Sequence, residues 1–422
     1  MNDLKQRALQ YDVRDELAGF REAFHFPKTD AEHCIYFTGN SLGLQPKRTA
    51  DILREELDDW AEFGVEGHFS ARRPWVSYHE NLMDKAAQLV GAKTDEVVHM
   101  NGLTTNIHLL LVSFYRPDAK RNKIICEAKA FPSDLYALDS QIRFHGLDPA
   151  STLIEVSPRE GEEVLREEDI EDVIRQHGEE VALVFFGGVN YYSGQVLDME
   201  RIARAAHRAG AVVGFDLAHA AGNVPMRLHD WEVDFAAWCT YKYLNSGPGS
   251  VGGIFVHEKH ARNFDLPRFT GWWGSDKESR FLMKRTFVPL PGAEGWQLSN
   301  APVFSMAPHL ASLEIFSEAG MDRLRKKSVA LTGFADEVIR AAGGDRVKII
   351  TPTEAERRGC QLSLVVPRVG RKVFEYLQTH GAFTDWREPD VIRIAPVPLY
   401  NSFADVYRFG ELLRSALDST LE

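Results

Sequence analysis

Cysteine is scarce in this chain. Four residues, Cys34, Cys126, Cys239 and Cys360, are spread over 422 positions without a CxxC pair among them. That spacing speaks against a disulfide framework and against a cysteine zinc site; buried, reduced thiols and no bound metal are expected. Positive charge is short as well. The formal net charge is −12, whereas a nucleic-acid partner would ask for a basic face. No stretch approaches the roughly 20 apolar residues that span a bilayer, so no membrane partner is expected. The opening MNDLKQRALQYDVRDELAGF is charged and acidic, unlike a secretory or transit peptide, and a cytoplasmic location is the expectation. Internal repeats and low-complexity linkers are missing too.

What is present is an ordinary globular composition, 44% hydrophobic and 26% charged residues, with material for a large core. The length argues for two or three domains. Between Lys123 and Val256 apolar runs alternate with helical patterns, which predicts a parallel sheet covered by helices. The runs are KIICEA at 123–128, VALVFFGGV at 181–189, AVVGFDLA at 211–218 and VGGIFV at 251–256; their unbroken apolar character suits strands covered on both faces. DMERIARAAHRAG at 198–210 carries Ile202, Ala205, Ala206 and Ala209 at helical spacing and stops on Gly210. The Pro- and Gly-rich PLPGAEGWQLSNAPVF (289–304) reads as a connection. One long helical pattern over 309–343 follows, then mixed strands and helices such as QLSLVVP (361–367) and VIRIAP (391–396). The expected class is α/β. An N-terminal arm over 1–30 packs on a small domain, a large α/β domain with a central, mostly parallel sheet covers 31–289, and a smaller α+β domain covers 290–422.

The densest chemistry lies in GFDLAHAAGNVP (214–225) and DFAAWCTYKYLNSGPGSVGG (234–253). Asp216 ends one apolar strand, where open α/β sheets bind ligands. A second strand runs into Thr240-Tyr241-Lys242 and a Gly-rich turn. Alone, such an Asp is ordinarily a turn or cap residue and such a Lys a solvated one. In this order, 26 residues apart and with His219 three after the Asp, they suit pyridoxal phosphate. The Lys242 amine can hold the cofactor aldehyde as a Schiff base, and the Asp216 carboxylate can keep the pyridine nitrogen protonated so that the ring withdraws electrons. MNGLTTNIHLLLVSF (100–114) sets Gly102, Thr104 and Thr105 before an apolar helical run, either a phosphate cradle or a plain N-cap. KAFPSDLYALDSQI (129–142) puts Phe131, Ser133 and Asp134 after another strand. Phe131 suits stacking on a ring and Asp134 supporting it, unless Ser133 and Asp134 only cap the next helix.

GNSLGLQP (39–46), RRPW (72–75), KAFPSD (129–134), GFDLAHAAGNV (214–224), TYKYLNSGPG (240–249), GWWG (271–274), RGCQLS (358–363) and RIAPVPLYNSF (393–403) follow in order along nearly the whole chain. Together they resemble the kynureninase family, in the form shared with animals. The resemblance implies the aspartate-aminotransferase-like fold, fold type I of the pyridoxal-phosphate enzymes, and a homodimer. It implies hydrolysis of L-kynurenine or 3-hydroxy-L-kynurenine to L-alanine and anthranilate or 3-hydroxyanthranilate, within tryptophan degradation and NAD biosynthesis.

At matching positions the resemblance implies cofactor contacts from Leu103, Thr104, the stretch Phe131, Pro132, Ser133 and Asp134, and from Asp216, His219, Tyr241 and Lys242. Trp272 and Asn300 resemble cofactor- or substrate-contacting residues, with Trp272 reaching the partner subunit's site. Ser41, His68 and Asn300 correspond to the substrate pocket. Arg393 resembles the arginine that pairs with the substrate α-carboxylate, a role its planar fork suits. Tyr241 is the candidate general acid/base beside the catalytic Lys242 and Asp216. FFGGV departs from relatives that carry Ser before Gly-Val. Gly187 stands there, and if that hydroxyl contacts the cofactor, one hydrogen bond of about 1 kcal/mol is missing.

Two rival readings remain. A cysteine desulfurase or related class V aminotransferase shares the implied fold and needs a nucleophilic cysteine on a mobile loop, for which Cys360 is the candidate. A non-catalytic cofactor-binding protein is the other, and Lys242 and Asp216 both argue against it. Trp60, Trp231, Trp238 and Trp386 read as core or interface, His207 and His229 as exposed faces, and RLRKKS (323–328) as a solvated helix face.

Overall fold

Runs that are apolar on both faces need covering on both faces, and the computed structural model, which describes residues 2–29 and 34–420, shows how this is met. Seven strands form the central sheet: β1 (Val97–His99), β2 (Lys123–Glu127), β3 (Leu153–Val156), β4 (Val181–Gly187), β5 (Val212–Asp216), β6 (Phe235–Trp238) and β7 (Gly253–Val256). Their spatial order is β1-β7-β6-β5-β4-β2-β3. Leu183 and Phe185 of β4 face a cluster with Ile107, Leu110 and Leu138 from helices Leu103–Phe114 and Pro132–Phe144. Val184 and Phe186 face the opposite cluster, with Ile170 and Ile174 from helix Glu167–His177 and Ile202 and Ala206 from helix Met199–Arg208. The period of two along the strand thus feeds two apolar layers.

The sheet is not wholly parallel. β2 through β6 pair in parallel, but β7, expected as a further parallel strand, runs antiparallel to both β6 and β1. An apolar run carries no direction. The connection from Cys239 to Gly252 contains no helix to cross the sheet, so the chain returns antiparallel.

The expected single helix over 309–343 is two helices, Val303–Ala319 and Met321–Gly343, separated by Gly320 at φ 75°. Helical periodicity continues on both sides of the break, and only the left-handed backbone at Gly320 reveals it. Beyond lies a four-stranded antiparallel sheet of β8 (Lys348–Ile349), β9 (Leu362–Val365), β10 (Asp385–Arg387) and β11 (Val391–Ile394), in the order β8-β9-β11-β10. The N-terminal helix Asn2–Val13 places Leu4 and Ala8 in one apolar cluster with Leu331, Phe334 and Ala335. Its Asp12 accepts from the N–H groups of Phe403 and Ala404 at 2.7 and 2.9 Å, at the start of helix Phe403–Ser419. The expected arm boundary at residue 30 lies outside the described residues.

Three surface assignments change for one reason: their partners are remote in sequence. Lys327, within RLRKKS, is buried with its Nζ 2.6 Å from Asp15. His207 Nε2 lies 2.9 Å from Asp234, and His229 Nδ1 lies 2.9 Å from the buried Glu96.

Candidate active site

The carboxyl ends of β2, β4, β5 and β6 meet at one edge of the sheet, where strand directionality concentrates ligand sites in α/β proteins. A cavity of about 250 Å³ lies there. Two tight turns deliver helix N-termini to it. Asn101, at φ 47°, precedes Gly102 and helix Leu103–Phe114; Lys129, at φ 56°, precedes Phe131 and helix Pro132–Phe144. Asn106 locks the first turn by donating to the Met100 carbonyl at 2.8 Å and accepting from Asn101 at 3.1 Å. Pro132 at the first helical position forgoes an N–H that no intrahelical acceptor could use. The hydroxyls of Thr104 and Ser133 meet across the gap at 2.7 Å. With the unpaired first-turn N–H groups and the positive ends of two helix dipoles, they form a seat for a doubly charged anion.

At another side of the same cavity stand two buried carboxyls. Asp216, the last residue of β5, accepts from the Ala218 N–H at 2.7 Å. Burial pushes its carboxyl up, while a hydrogen bond from Asp134 and the charge of Lys242 pull it down. Asp134 goes well above the usual carboxylate range, through burial and then the charge of Asp216. Two adjacent carboxylates in a dry site cannot both ionise cheaply, so Asp134 keeps the proton and donates it to Asp216.

Lys242 Nζ lies 3.0 Å from His219 Nε2 and 5.8 Å from the centroid of the Phe131 ring. Burial, then the charge of Lys242, hold the imidazole well below its ordinary pKa. His219 is therefore neutral, its Nε2 accepts from Lys242, and its proton sits on Nδ1, which is buried without a partner. Tyr241 lines the same cavity. Burial, then the neighbouring Cys239, push its hydroxyl up, so it keeps its proton. The Tyr241 carbonyl accepts from the Gly43 N–H at 2.8 Å. The GNSLG motif thus braces the lysine turn, although Ser41 itself is exposed and lies outside the cavity wall.

Two wall residues escaped the motif reading. Glu127, the last residue of β2, is buried, with its carboxylate accepting from the Gly187 N–H at 3.2 Å and from Asn190 Nδ2 at 2.9 Å. A Cβ on Gly187 would come within 2.8 Å of Glu127 Oε1, so the Gly in FFGGV makes room for this carboxylate. Tyr191 packs edge-on against Phe131, their centroids 5.3 Å apart. A charged residue closing the apolar run KIICE was the available signal for Glu127; nothing local marks Tyr191.

Arg393, on β11, is almost wholly buried behind Tyr191. One Nη donates to the Tyr191 carbonyl at 2.7 Å, the other pairs with Asp385, and Nε has no partner. The remaining expected site residues lie elsewhere on this single chain. His68 Nδ1 is 2.9 Å from the Val65 carbonyl, with its ring edge-on to Trp75. Trp272 is half-exposed and donates to the Arg280 carbonyl at 3.2 Å, and Asn300 is exposed. Around them Trp60, Phe69, Phe281 and Phe304 leave large aromatic surfaces open. Cys360, the candidate sulfur nucleophile, is buried at 3.4 Å from Ser328 Oγ, and burial pushes its thiol up to about 11. A reactive cysteine needs the reverse.

Residues 324–413 match the model of the kynureninase C-terminal domain family. The chain is 53% identical over 413 residues to the kynureninase of Flavobacterium psychrophilum, covering 97% of each. To the kynureninase of Myxococcus xanthus it is 54% identical over 412 residues, again 97% of each, and to that of Koribacter versatilis 54% over 403 residues, 95% of each. Among solved structures, the cysteine desulfurase CsdA of Escherichia coli superposes with a TM-score of 0.77 at 17% identity, over 96% of this chain and 98% of that one. A C-DES mutant with glycine covalently linked to its PLP cofactor gives a TM-score of 0.76 at 16% identity, over 90% and 97%. At such identities these two establish the fold alone, that of the fold type I enzymes.

Proposed function

The chain belongs to the kynureninase family, and from that premise we propose that it binds pyridoxal phosphate at Lys242 and hydrolyses L-kynurenine or 3-hydroxy-L-kynurenine. Water is consumed across the Cβ–Cγ bond: its hydroxyl goes to the acyl carbon, giving anthranilate or 3-hydroxyanthranilate, and hydrogen goes to Cβ, giving L-alanine. The observation that carries this reading is the identity above 50% over 97% of the chain.

The cavity has the chemistry the cofactor requires. The Thr104–Ser133 seat at two helix N-termini suits its phosphate, the Asp134–Asp216 pair its ring nitrogen, the Phe131 face its ring and the Lys242 amine its aldehyde. His219 Nδ1, buried and unpaired, is a further donor awaiting a partner. When bound, the cofactor withdraws electrons from the substrate Cα, which acidifies it and later lets the Cβ–Cγ bond break.

The protein's own groups hold and move the protons. Asp216, ionised and supported by the proton on Asp134, keeps a proton on the ring nitrogen. Lys242 would hold the cofactor aldehyde and, with its amine free, would be the base for the Cα proton; the neutral His219 beside it at 3.0 Å adds no competing charge. Tyr241, whose hydroxyl keeps its proton, enters as an acid toward the γ-carbonyl oxygen. Arg393 holds the substrate α-carboxylate.

Several finer features belong to the same reading. The protein is a cytoplasmic homodimer, its exposed aromatic clusters, Trp60 with Phe304 and Phe281 with Phe69 and Trp272, covered by a second copy; exposed apolar groups of this kind mark association surfaces. Trp272 reaches the partner's site, and Ser41, His68 and Asn300 complete the pocket for the substrate's aromatic ring. Among the described residues no helix is long and apolar enough to cross a membrane. Desulfurase chemistry is disfavoured by the burial and high pKa of Cys360.

The test is a side-by-side assay of L-kynurenine, 3-hydroxy-L-kynurenine and L-cysteine with the purified protein, read by aryl products, alanine and sulfide. Aryl acid and alanine in equal amounts are expected; sulfide release without aryl acid would overturn the reading. Borohydride reduction followed by peptide mapping is expected to find the pyridoxyl group on Lys242 and on no other lysine.

A further inference from the structure

The reaction as described leaves Glu127 and the hairpin beyond β4 without a role, yet both line the cavity or border it. Glu127 offers two acceptor oxygens, and two donors from the hairpin's root take them: the Gly187 N–H at 3.2 Å and Asn190 Nδ2 at 2.9 Å. With its amide nitrogen so engaged, Asn190 turns its Oδ1 to the hairpin, where it accepts from the N–H groups of Tyr192 and Ser193 at 3.0 and 2.9 Å and from Ser193 Oγ at 3.1 Å. The hairpin closes through Asn190 N–H to the Gln195 carbonyl at 2.8 Å. Its outward carbonyls then meet the small sheet. Tyr191 accepts from Arg393 at 2.7 Å and from Gln361 at 3.0 Å, and Tyr192 accepts from Ser363 Oγ at 2.6 Å.

We propose that Glu127 is a positioning residue which, through Asn190, fixes the 189–196 hairpin so that the Tyr191 carbonyl orients the Arg393 fork toward the substrate α-carboxylate. The inference rests on the reading of Arg393 as the carboxylate anchor. It requires an acceptor on both sides of residue 127, which Glu127 supplies when ionised, above about pH 7, so the kinetics are read at pH 8. A Gln there presents an NH2 either to Gly187 or to Asn190. If it faces Asn190, the Asn190 amide must flip and point its own NH2 at two backbone N–H groups, and the hairpin loses its organising acceptor. It also explains Gly187, since any side chain at that position would press on the Glu127 carboxylate.

The test uses the full-length holoenzyme and L-kynurenine, measuring KM and kcat separately together with thermal midpoints, for Glu127→Gln, Asn190→Ala, their double variant, Arg393→Lys and Arg393→Lys/Asn190→Ala. Either single variant on the hairpin path is expected to raise KM about tenfold with kcat within about twofold, the signature of lost binding common to ground and transition states. The Glu127/Asn190 double variant should match the singles, and Asn190→Ala should add nothing to KM once Arg393 is Lys. A lowered melting temperature with unchanged KM in Glu127→Gln and Asn190→Ala, or an additive KM effect in the Arg393→Lys background, overturns the positioning role. If Arg393→Lys alone leaves KM unchanged, the carboxylate-anchor reading fails and this inference falls with it; a raised KM in Arg393→Lys beside a normal KM in Glu127→Gln overturns this inference alone. Should Asn190→Ala fail to fold, Glu127→Gln carries the same test.

Discussion

A Cβ built on Gly43 would overlap the backbone carbonyl oxygen of Lys242 and come within 2.7 Å of the Asn245 Cα. The lysine turn is therefore braced from outside by the GNSLG loop, through backbone contact that only glycine allows. Gly43→Ala is expected to cost roughly 1–3 kcal/mol, the usual scale for overpacking. Displacement of Lys242 should also lower kcat. Thermal melts and cofactor absorbance check this, against Gly19→Ala, where the added methyl meets nothing within 4 Å. Equal melting temperatures for the two variants would show that the loop yields.

The proton on Asp134 leads to an asymmetric expectation for the carboxyl pair. Asp216→Ala or Asp216→Asn should lose roughly 100- to 10,000-fold in kcat, the range of a lost acid–base or electrostatic partner. Asp134→Asn should stay within about tenfold, because an amide N–H can replace the donated hydrogen bond. Steady-state kinetics on the four proteins decide it. Comparable losses at both positions would mean that the charge resides on Asp134.

Glu127 makes stability depend on pH in a way its amide variant should not. Burial raises its carboxyl from 4.5 to about 7. Between those values the folded state holds a proton that the unfolded state has lost, so its contribution to stability declines as pH rises from 4.5 to 7. The full difference is on the order of 3 kcal/mol. Glu127→Gln is thus expected to gain stability relative to the parent as pH goes from 5 to 8, in cofactor-free protein unfolded by urea at fixed ionic strength. A constant difference across that range contradicts a raised Glu127. The buried His99, lowered to about 3 by burial, is common to both proteins and cancels from the comparison.

On the proposed reading, specificity for the substrate ring is expected to depend on His68 and Asn300, which one chain leaves outside its own cavity. 3-Hydroxy-L-kynurenine is expected to give a kcat/KM several-fold to about tenfold above that of L-kynurenine, the scale of one well-placed hydrogen bond. An imidazole at His68 and an amide at Asn300 are the groups able to satisfy the added phenol. Equal specificity constants, or an unchanged preference in a His68→Phe/Asn300→Thr variant, count against this. Sedimentation should find a dimer, and dilution that dissociates it should abolish the preference together with activity.

The residues that line the cavity were legible wherever they sit at or just beyond a strand end. An apolar run followed by a single polar residue marks where a strand leaves the core, so Asp216, Lys242 and the Thr104 and Ser133 turns could be placed from their immediate neighbours. The large central sheet was legible for the same reason, as were most strand positions within two residues. Strand direction was not. VGGIFV reads the same either way, and the absence of a crossover helix makes it antiparallel. Gly320 was hidden inside a periodicity that continues on both sides of it.

The linear order of residues by itself determined which groups are chemically equipped: a lysine, an aspartate and hydroxyls, each written beside an apolar run that dictates where it emerges. Only the tertiary structure decided which of them act on one another. Glu127 meets Asn190 across 63 residues and Arg393 meets the Tyr191 carbonyl across 202. Asp134 holds its proton because Asp216 comes to lie beside it in a dry site. Periodicity reports the face a residue shows to the core, whereas protonation and hydrogen-bond partnership depend on neighbours that folding brings from far along the chain.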